Sequence, residues 1–177
     1  FTIVQTDHAG GARLATRHLL DAGHPTVHHL AGPVTSFAAS ERERGWREEL
    51  VAAGIDVPEP VRGDWTSRSG YERGAAFAAA SAVFVANDQM ALGLLRALAD
   101  AGRRVPEDVA VVGFDDIVDA AEYRPPLTTV RQDFDVLGAR AVEVLVRMIE
   151  TGEAASAQAI GATIETISAD EVDAAYD

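Results

Sequence analysis

A handful of side chains fall where a strand should end or a helix begin, and their types suit hydrogen bonding to a small polar molecule: Arg42, Trp65, Asn87, Asp115, Gln132 and Phe134. Arg42 shares the apolar stripe of its helix with Ala39, Trp46, Leu50 and Ala53, while Glu41, Glu48 and Glu49 face elsewhere. A cation in a first helical turn opposes the macrodipole. Arg42 is therefore expected to meet an anionic or multi-hydroxyl partner through its planar fork, a sheet-edge carboxylate such as Asp115, or both. Trp65 follows a strand and either stacks on the apolar face of a sugar or base, or caps the adjacent core. Trp46 is core by helical phase.

Asn87 reads first as an N-cap, with room for its carboxamide to bridge cap and ligand. Asp115-Asp116 follows a buried strand and leaves three readings open. Asp115 accepts ligand hydroxyls, the pair binds Mg²⁺, or Asp116 caps the next turn. Gln132 and then Phe134 follow the last short strand and would close the crevice.

Other chemistries are excluded or weakened. All fifteen bases are arginines, so a Schiff base, a P-loop lysine and a catalytic ammonium are ruled out. Cysteine is absent, which removes disulfides, cysteine–zinc sites and thiol nucleophiles. His8, His18, His24, His28 and His29 cluster early, but His28 and His29 are adjacent in a strand and point to opposite faces. A shared zinc site needs converging ligands and a third partner, so surface and core roles are the better reading. No GxGxxG, GxSxG, HExxH or Walker pattern occurs.

The elements that must position these residues are legible from the apolar pattern. Ala82–Ala86 and Val109–Phe114 are β-branched runs without polar alternation, as expected of strands buried on both faces of a parallel sheet. The helix Gln89–Ala101 lies between them, stopped by Gly102 with Pro106 beyond. Upstream, Thr2–Val4 is a strand and Asp7 caps a helix His8–Ala22. Val27–Ala31 is a strand and Ala39–Ala53 a helix. Val61–Gly63 is a strand, followed by Asp64-Trp65-Thr66-Ser67 and a helix to about Ala79. Downstream, Val118–Tyr123 is a helical turn and Leu127–Val130 an extended segment. Asp133 caps the helix Phe134–Thr151, which Gly152 ends. Glu153–Gln158 reads as a loop and Ala162–Ile167 as a strand. Five alternating strand–helix units predict an α/β fold with a doubly wound, Rossmann-like parallel sheet and right-handed crossovers. Ligands of such sheets bind beyond the carboxyl ends of the strands.

Twenty-eight acids against fifteen bases give a net charge of −13, so the surface as a whole repels nucleic acid. No apolar run approaches the ~20 residues that span a bilayer, and no membrane partner is expected. The N-terminus lacks signal-peptide features and starts on a strand-like run, so the natural beginning is expected to be missing and the cytoplasm is the default location. The helix Gln89–Ala101 is apolar nearly all round. One face serves the sheet; the second meets either a partner subunit or another element of the chain. The last helix carries Arg140, Glu143, Arg147 and Glu150 on one polar face, with a Glu143→Arg147 pair.

HLLDAGHPTVHHLAGP (18–33), GDWTSRSGY (63–71), VFVANDQMALG (83–93), RVPEDVAVVGFDD (104–116) and PPLTTVRQDFDVLG (125–138) together resemble the effector-binding domain of the lactose repressor family of bacterial transcription regulators. The resemblance implies a periplasmic-binding-protein-like domain of two lobes, with a sugar or nucleobase effector between them. It implies a homodimer, and allosteric control of an N-terminal helix-turn-helix that binds operator DNA. By motif, it assigns effector contacts to Arg42, Trp65, Asn87, Asp115, Gln132 and Phe134, and adds Ser36 and Ala38 of the AGP loop. It also implies that residues 1–131 are the C-terminal lobe, 132–160 a helix of a largely missing N-terminal lobe, and 161–177 a closing strand and tail. The usual Arg-Ser of that strand is replaced by Glu165-Thr166-Ile167-Ser168, and the segment between Gly70 and Asn87 is shorter than usual.

The sequence is thus expected to be the effector-sensing part of a transcription regulator, not an enzyme. It needs no cofactor or metal and dimerises through Gln89–Ala101. The alternatives are a transporter's sugar-binding protein, or a Mg²⁺-dependent phosphoryl-transfer enzyme using Asp115 and Asp116. The second is weakened by the missing lysine and by the lack of a second acidic cluster after the first strand.

Overall fold

The computed structural model describes residues 3–152 and 158–165. Expectations for 153–157 and for 166–177, including Thr166-Ile167-Ser168, lie outside the described residues. The first strand is β1 (Val4–Thr6), two residues later than expected, and Asp7 caps α1 (His8–Asp21) by accepting the Gly10 N–H at 2.8 Å. There follow β2 (His28–Ala31), α2 (Phe37–Ala52), β3 (Val61–Arg62) and α3 (Ser67–Arg73). The helix expected to reach Ala79 instead tightens after Arg73 into a 3₁₀ turn, Gly74–Phe77. Then come β4 (Ala82–Val85), α4 (Asp88–Asp100), β5 (Ala110–Asp115), a 3₁₀ turn (Val118–Glu122), β6 (Thr128–Gln132), α5 (Phe134–Thr151), β7 (Gln158–Ile160) and β8 (Ala162–Glu165).

The main sheet has the order β3-β2-β4-β5-β6-β8, parallel except for β8, which runs antiparallel to β6. The α/β, parallel-dominated architecture is the expected one. Two details differ. β1 lies outside this sheet and pairs with β7, a strand beginning at Gln158 where a loop was expected.

Alternation along β4 divides the core. Val83 and Val85 pack with Leu30, Met90, Leu94 and Leu98 on the α4 side. Ala82 and Phe84 pack with Leu19, Trp46, Leu50 and Phe114 on the α1–α2 side. Each such fully buried Val, Leu, Met or Phe side chain contributes roughly 1.5–3 kcal/mol over its exposed state.

The second face of α4 is covered by α3, so of the two expected readings the same chain supplies the cover. The helices approach closely because Gly70 faces the Met90 carbonyl and Gly93 the Ser67 carbonyl, and a Cβ at either would strike backbone. Leu92 stays 42% exposed. α5 is different again: Val142, Leu145, Val146 and Ile149 are exposed, and Glu143 pairs back with Arg140 at 2.6 Å.

Candidate functional site

The chain leaves β2 outward to β3, then crosses back past β2 to β4. Right-handed crossovers in opposite directions put α2 on one face and α3 and α4 on the other. The carboxyl ends of β2 and β4 therefore diverge, and a crevice opens at that switch point. An open cleft of about 730 Å³ lies there, lined by Ser36, Ala38, Arg42, Trp65, Thr66, Ser67, Asn87, Gln89 and Asp115.

α2 begins at Phe37 rather than Ala39 because Ser36 caps it, its Oγ accepting from Ala39 N at 3.4 Å. That start brings Arg42 over the sheet edge, where it is 5% exposed. Its Nη1 donates to the Ala86 carbonyl, and its Nη2 donates to Asp115 Oδ1 at 3.1 Å and comes within 3.5 Å of His8 Nδ1. Cζ lies 3.8 Å from the Phe114 ring centre and 5.7 Å from that of Trp65. Desolvating a guanidinium is costly; the carboxylate, the carbonyl and the aromatic faces offset that cost. Burial and the Arg42 charge push the His8 imidazole down to about 4, so near neutral pH it is an uncharged acceptor.

The helix-phase reading of Arg42 thus leads to a buried arginine, but two of its neighbours differ from expectation. Ala53 is exposed and lies just past the helix, as the C-cap that follows Ala52. Glu49 is buried and bonded to Arg17 of α1, its Oε1 2.5 Å from Nε, across the α1–α2 contact.

Asp115 ends β5 in the left-handed region (φ 119°). Gln132 Nε2, from the end of β6, donates to the same Oδ1 at 2.5 Å. Burial raises the Asp115 carboxyl, while Arg42 and Gln132 pull it back towards ionisation. Asp116 (φ 54°) pairs with Arg131 at 3.8 Å. It does not cap the next turn, which starts after Ile117 without a side-chain cap. Each of the two aspartates is paired with an arginine, Asp115 with Arg42 and Asp116 with Arg131, and among the described residues no three His, Cys, Asp or Glu converge to hold an ion.

Asn87 caps α4, accepting Met90 N–H at 3.0 Å. Its Nδ2 donates to the Trp65 carbonyl at 3.1 Å and to Gln89 Oε1 at 2.7 Å. Both amide protons are used, so a ligand contact by Asn87 takes the second lone pair of Oδ1 or displaces Gln89. Trp65 has φ 77° and lies half-buried with its ring against Gly32, where a Cβ would collide with the indole.

Of the residues singled out in the sequence, Ser36, Arg42, Trp65, Asn87 and Asp115 line the cleft. Gln132 stands behind Asp115. Phe134, the first residue of α5, is 58% exposed and is not among the lining residues. Thr66, Ser67 and Gln89 went unremarked, although the polar run after β3 carried the signal for the first two. His8 and the fully buried Asp88 were also missed. His29 is a core histidine: it is buried, stacked on Phe84 at 4.7 Å, and its Nδ1 lies 2.9 Å from the Phe84 carbonyl oxygen.

Comparison with known proteins gives a consistent picture. A model of the periplasmic binding protein-like domain matches residues 16–167. The lactose operon repressor of Klebsiella pneumoniae is 44% identical over 150 residues, covering 82% of this chain and 42% of that protein. The structure of a transcriptional regulator CelR–cellobiose complex superposes with a TM-score of 0.87 at 36% identity, covering 93% of this chain and 53% of that one. The lac repressor dimer bound to operator and the anti-inducer ONPF superposes with a TM-score of 0.85 at 37% identity, covering 91% and 50%. The chain thus spans about half the length of the relatives it matches. Among the described residues no helix is long and apolar enough to cross a membrane.

Proposed function

The chain belongs to the periplasmic binding protein-like domain family, with repressors of the lactose operon type among its relatives, and from that premise we propose that it is the effector-sensing part of a cytoplasmic transcription regulator. A small neutral sugar or nucleoside-like effector is bound in the cleft by Arg42, Asn87 and Asp115, with Ser36 at the α2 rim and Trp65 stacked beneath. Gln132 orients Asp115, and Phe134 closes the crevice from the start of α5. The observation that carries this reading is the convergence of an arginine, an indole, a carboxamide and a carboxylate on one switch-point cleft.

Residues 1–131 form one lobe in this reading, 132–160 carry a helix of a second, and 161–177 are a closing strand and tail. The exposed apolar face of α5 supports it, because Val142, Leu145, Val146 and Ile149 offer a surface for that second lobe. Dimerisation uses the Gln89–Ala101 region, where Leu92, with Tyr71 of the neighbouring α3, borders a cleft of about 570 Å³. Effector bound between lobes shifts the population of lobe angles and with it the affinity for operator DNA, which a helix-turn-helix of the whole protein contacts. No catalysis and no cofactor are involved.

The test is a calorimetric panel of neutral sugars and nucleosides against the full gene product, followed by gel shift of its own promoter with each hit. A saturable heat and an altered shift with the same compound support the reading. A folded protein that takes none of them overturns it.

A further inference from the structure

Asp88 is the first residue of α4 and is completely buried, yet its carboxylate makes no ion pair among the described residues. Its partners are Thr129 Oγ1 of β6, donating at 2.6 Å, and the Ile117 amide, donating at 3.0 Å; the Phe114 amide also faces it. The charged and titratable groups around it are Asp115, Arg42 and Tyr123. Gly113 leaves it room, since a Cβ there would meet its Oδ1. A buried carboxylate held chiefly by uncharged donors is expensive and calls for a reason.

The reason lies in what those donors belong to. Asp115 and Asp116 both have positive φ, a conformation that is strained for a non-glycine residue and persists only when its surroundings over-determine it. The two amides that Asp88 faces, Phe114 and Ile117, bracket that strained pair. We propose that Asp88 is a positioning residue for the effector site: its carboxylate clamps the 114–117 turn and so aims the Asp115 carboxylate at Arg42. This rests on Asp115 being an effector contact, but the clamp itself is tested without any effector.

The experiment is NMR on the chain as it stands. Burial raises the Asp88 carboxyl to about 6. On acidification through that value, the Ile117 amide proton of the wild type moves in step with the Asp88 carboxyl carbon. Asp88→Ala speeds Ile117 amide exchange roughly 10- to 100-fold relative to Val112 within β5, the loss expected for one buried hydrogen bond. Thr129→Val, which removes the other bond, lowers stability but leaves the Ile117-to-Val112 ratio unchanged. The proposal is overturned if the Ile117 shift ignores the Asp88 titration, a result that needs no variant to fold. It also fails if both variants move Ile117 and Val112 in step, which is the pattern of a purely structural acid.

Discussion

Asp115 Oδ1 lies 3.1 Å from Nη2 of Arg42, joining the end of β5 to the α2 helix across 73 residues of sequence. They are the only anion and cation among the residues lining the cleft. The rim therefore presents donors and acceptors in quantity but little unbalanced charge. A neutral polyhydroxyl molecule exploits both partners, whereas a phosphorylated one must meet the carboxylate. Neutral sugars are expected to bind at least 10-fold more tightly than their phosphate esters in competition titrations, about 1.4 kcal/mol.

Splitting that pair has a stability cost. Asp115→Asn leaves a 5%-exposed guanidinium without its counter-charge, and urea denaturation should show a loss of about 3 kcal/mol, the lower end for a broken buried pair, because Asp115 keeps some solvent contact. Arg42→Lys keeps the charge but not the fork that reaches Ala86 and Asp115 together. It should cost less in stability and still weaken effector binding.

Asn87 separates capping from recognition. Asp is as good an N-cap as Asn, so Asn87→Asp should retain the Met90 contact and the stability that the cap supplies. It loses both donors, to the Trp65 carbonyl and to Gln89, and effector affinity should fall at least 10-fold. Asn87→Ala should lose about 1 kcal/mol of stability as well. Equal affinity loss without any difference in stability between the two would contradict this division.

Gly32 tests the floor of the cleft. Gly32→Ala places a methyl where the Trp65 ring now lies. The indole must swing outward, and near-ultraviolet circular dichroism should report the loss of its fixed environment while helix content is retained.

How much of this was legible in the sequence varied with the range of the determining contact. Arg42 was reachable because Ala39, Trp46 and Leu50 set its phase within one helix. Glu49 was misread because its partner, Arg17, sits on another helix 32 residues away. Asp88 was hidden by its neighbour. Next to an obvious cap, an acid in a first helical turn looks like a dipole contact, and only the tertiary approach of Ile117 and Thr129 reveals it. β1 reads as a strand, but its partner β7 lies more than 150 residues downstream, and three-residue runs carry no register information of their own. Phe134 was placed by strand order and by the motif it shares with Gln132, not by any contact within its own helix. In the structure it is 58% exposed and is not among the residues lining the cleft.

Buried His29 and half-buried His8 set the acid response. Burial holds His8 and His29 down at about 4, from 6.5. The unfolded chain therefore takes up protons first as the pH falls, and their contribution, full above about pH 6.5, is lost on the way to pH 4. Asp88, raised from 3.8 to about 6, works in the opposite direction between those values, because the folded state takes its proton earlier. Three lowered histidines, His8, His28 and His29, against two raised carboxyls, Asp88 and Asp115, leave a net loss. The Tm should drop between pH 7 and pH 5, and His29→Phe should shrink that drop. An unchanged or larger drop in the variant would contradict the assignment.

The central claim is that effector sits on Trp65 within reach of Arg42. The chain has two tryptophans, so Trp46→Phe leaves the Trp65 indole as the sole fluorophore of its kind. Titrating that variant with the sugar that gives heat in calorimetry should produce a saturable emission change, with a midpoint raised at least 10-fold by Arg42→Ala. A sugar that binds by calorimetry yet leaves the Trp65 emission unmoved, or binds equally well without Arg42, would contradict the account.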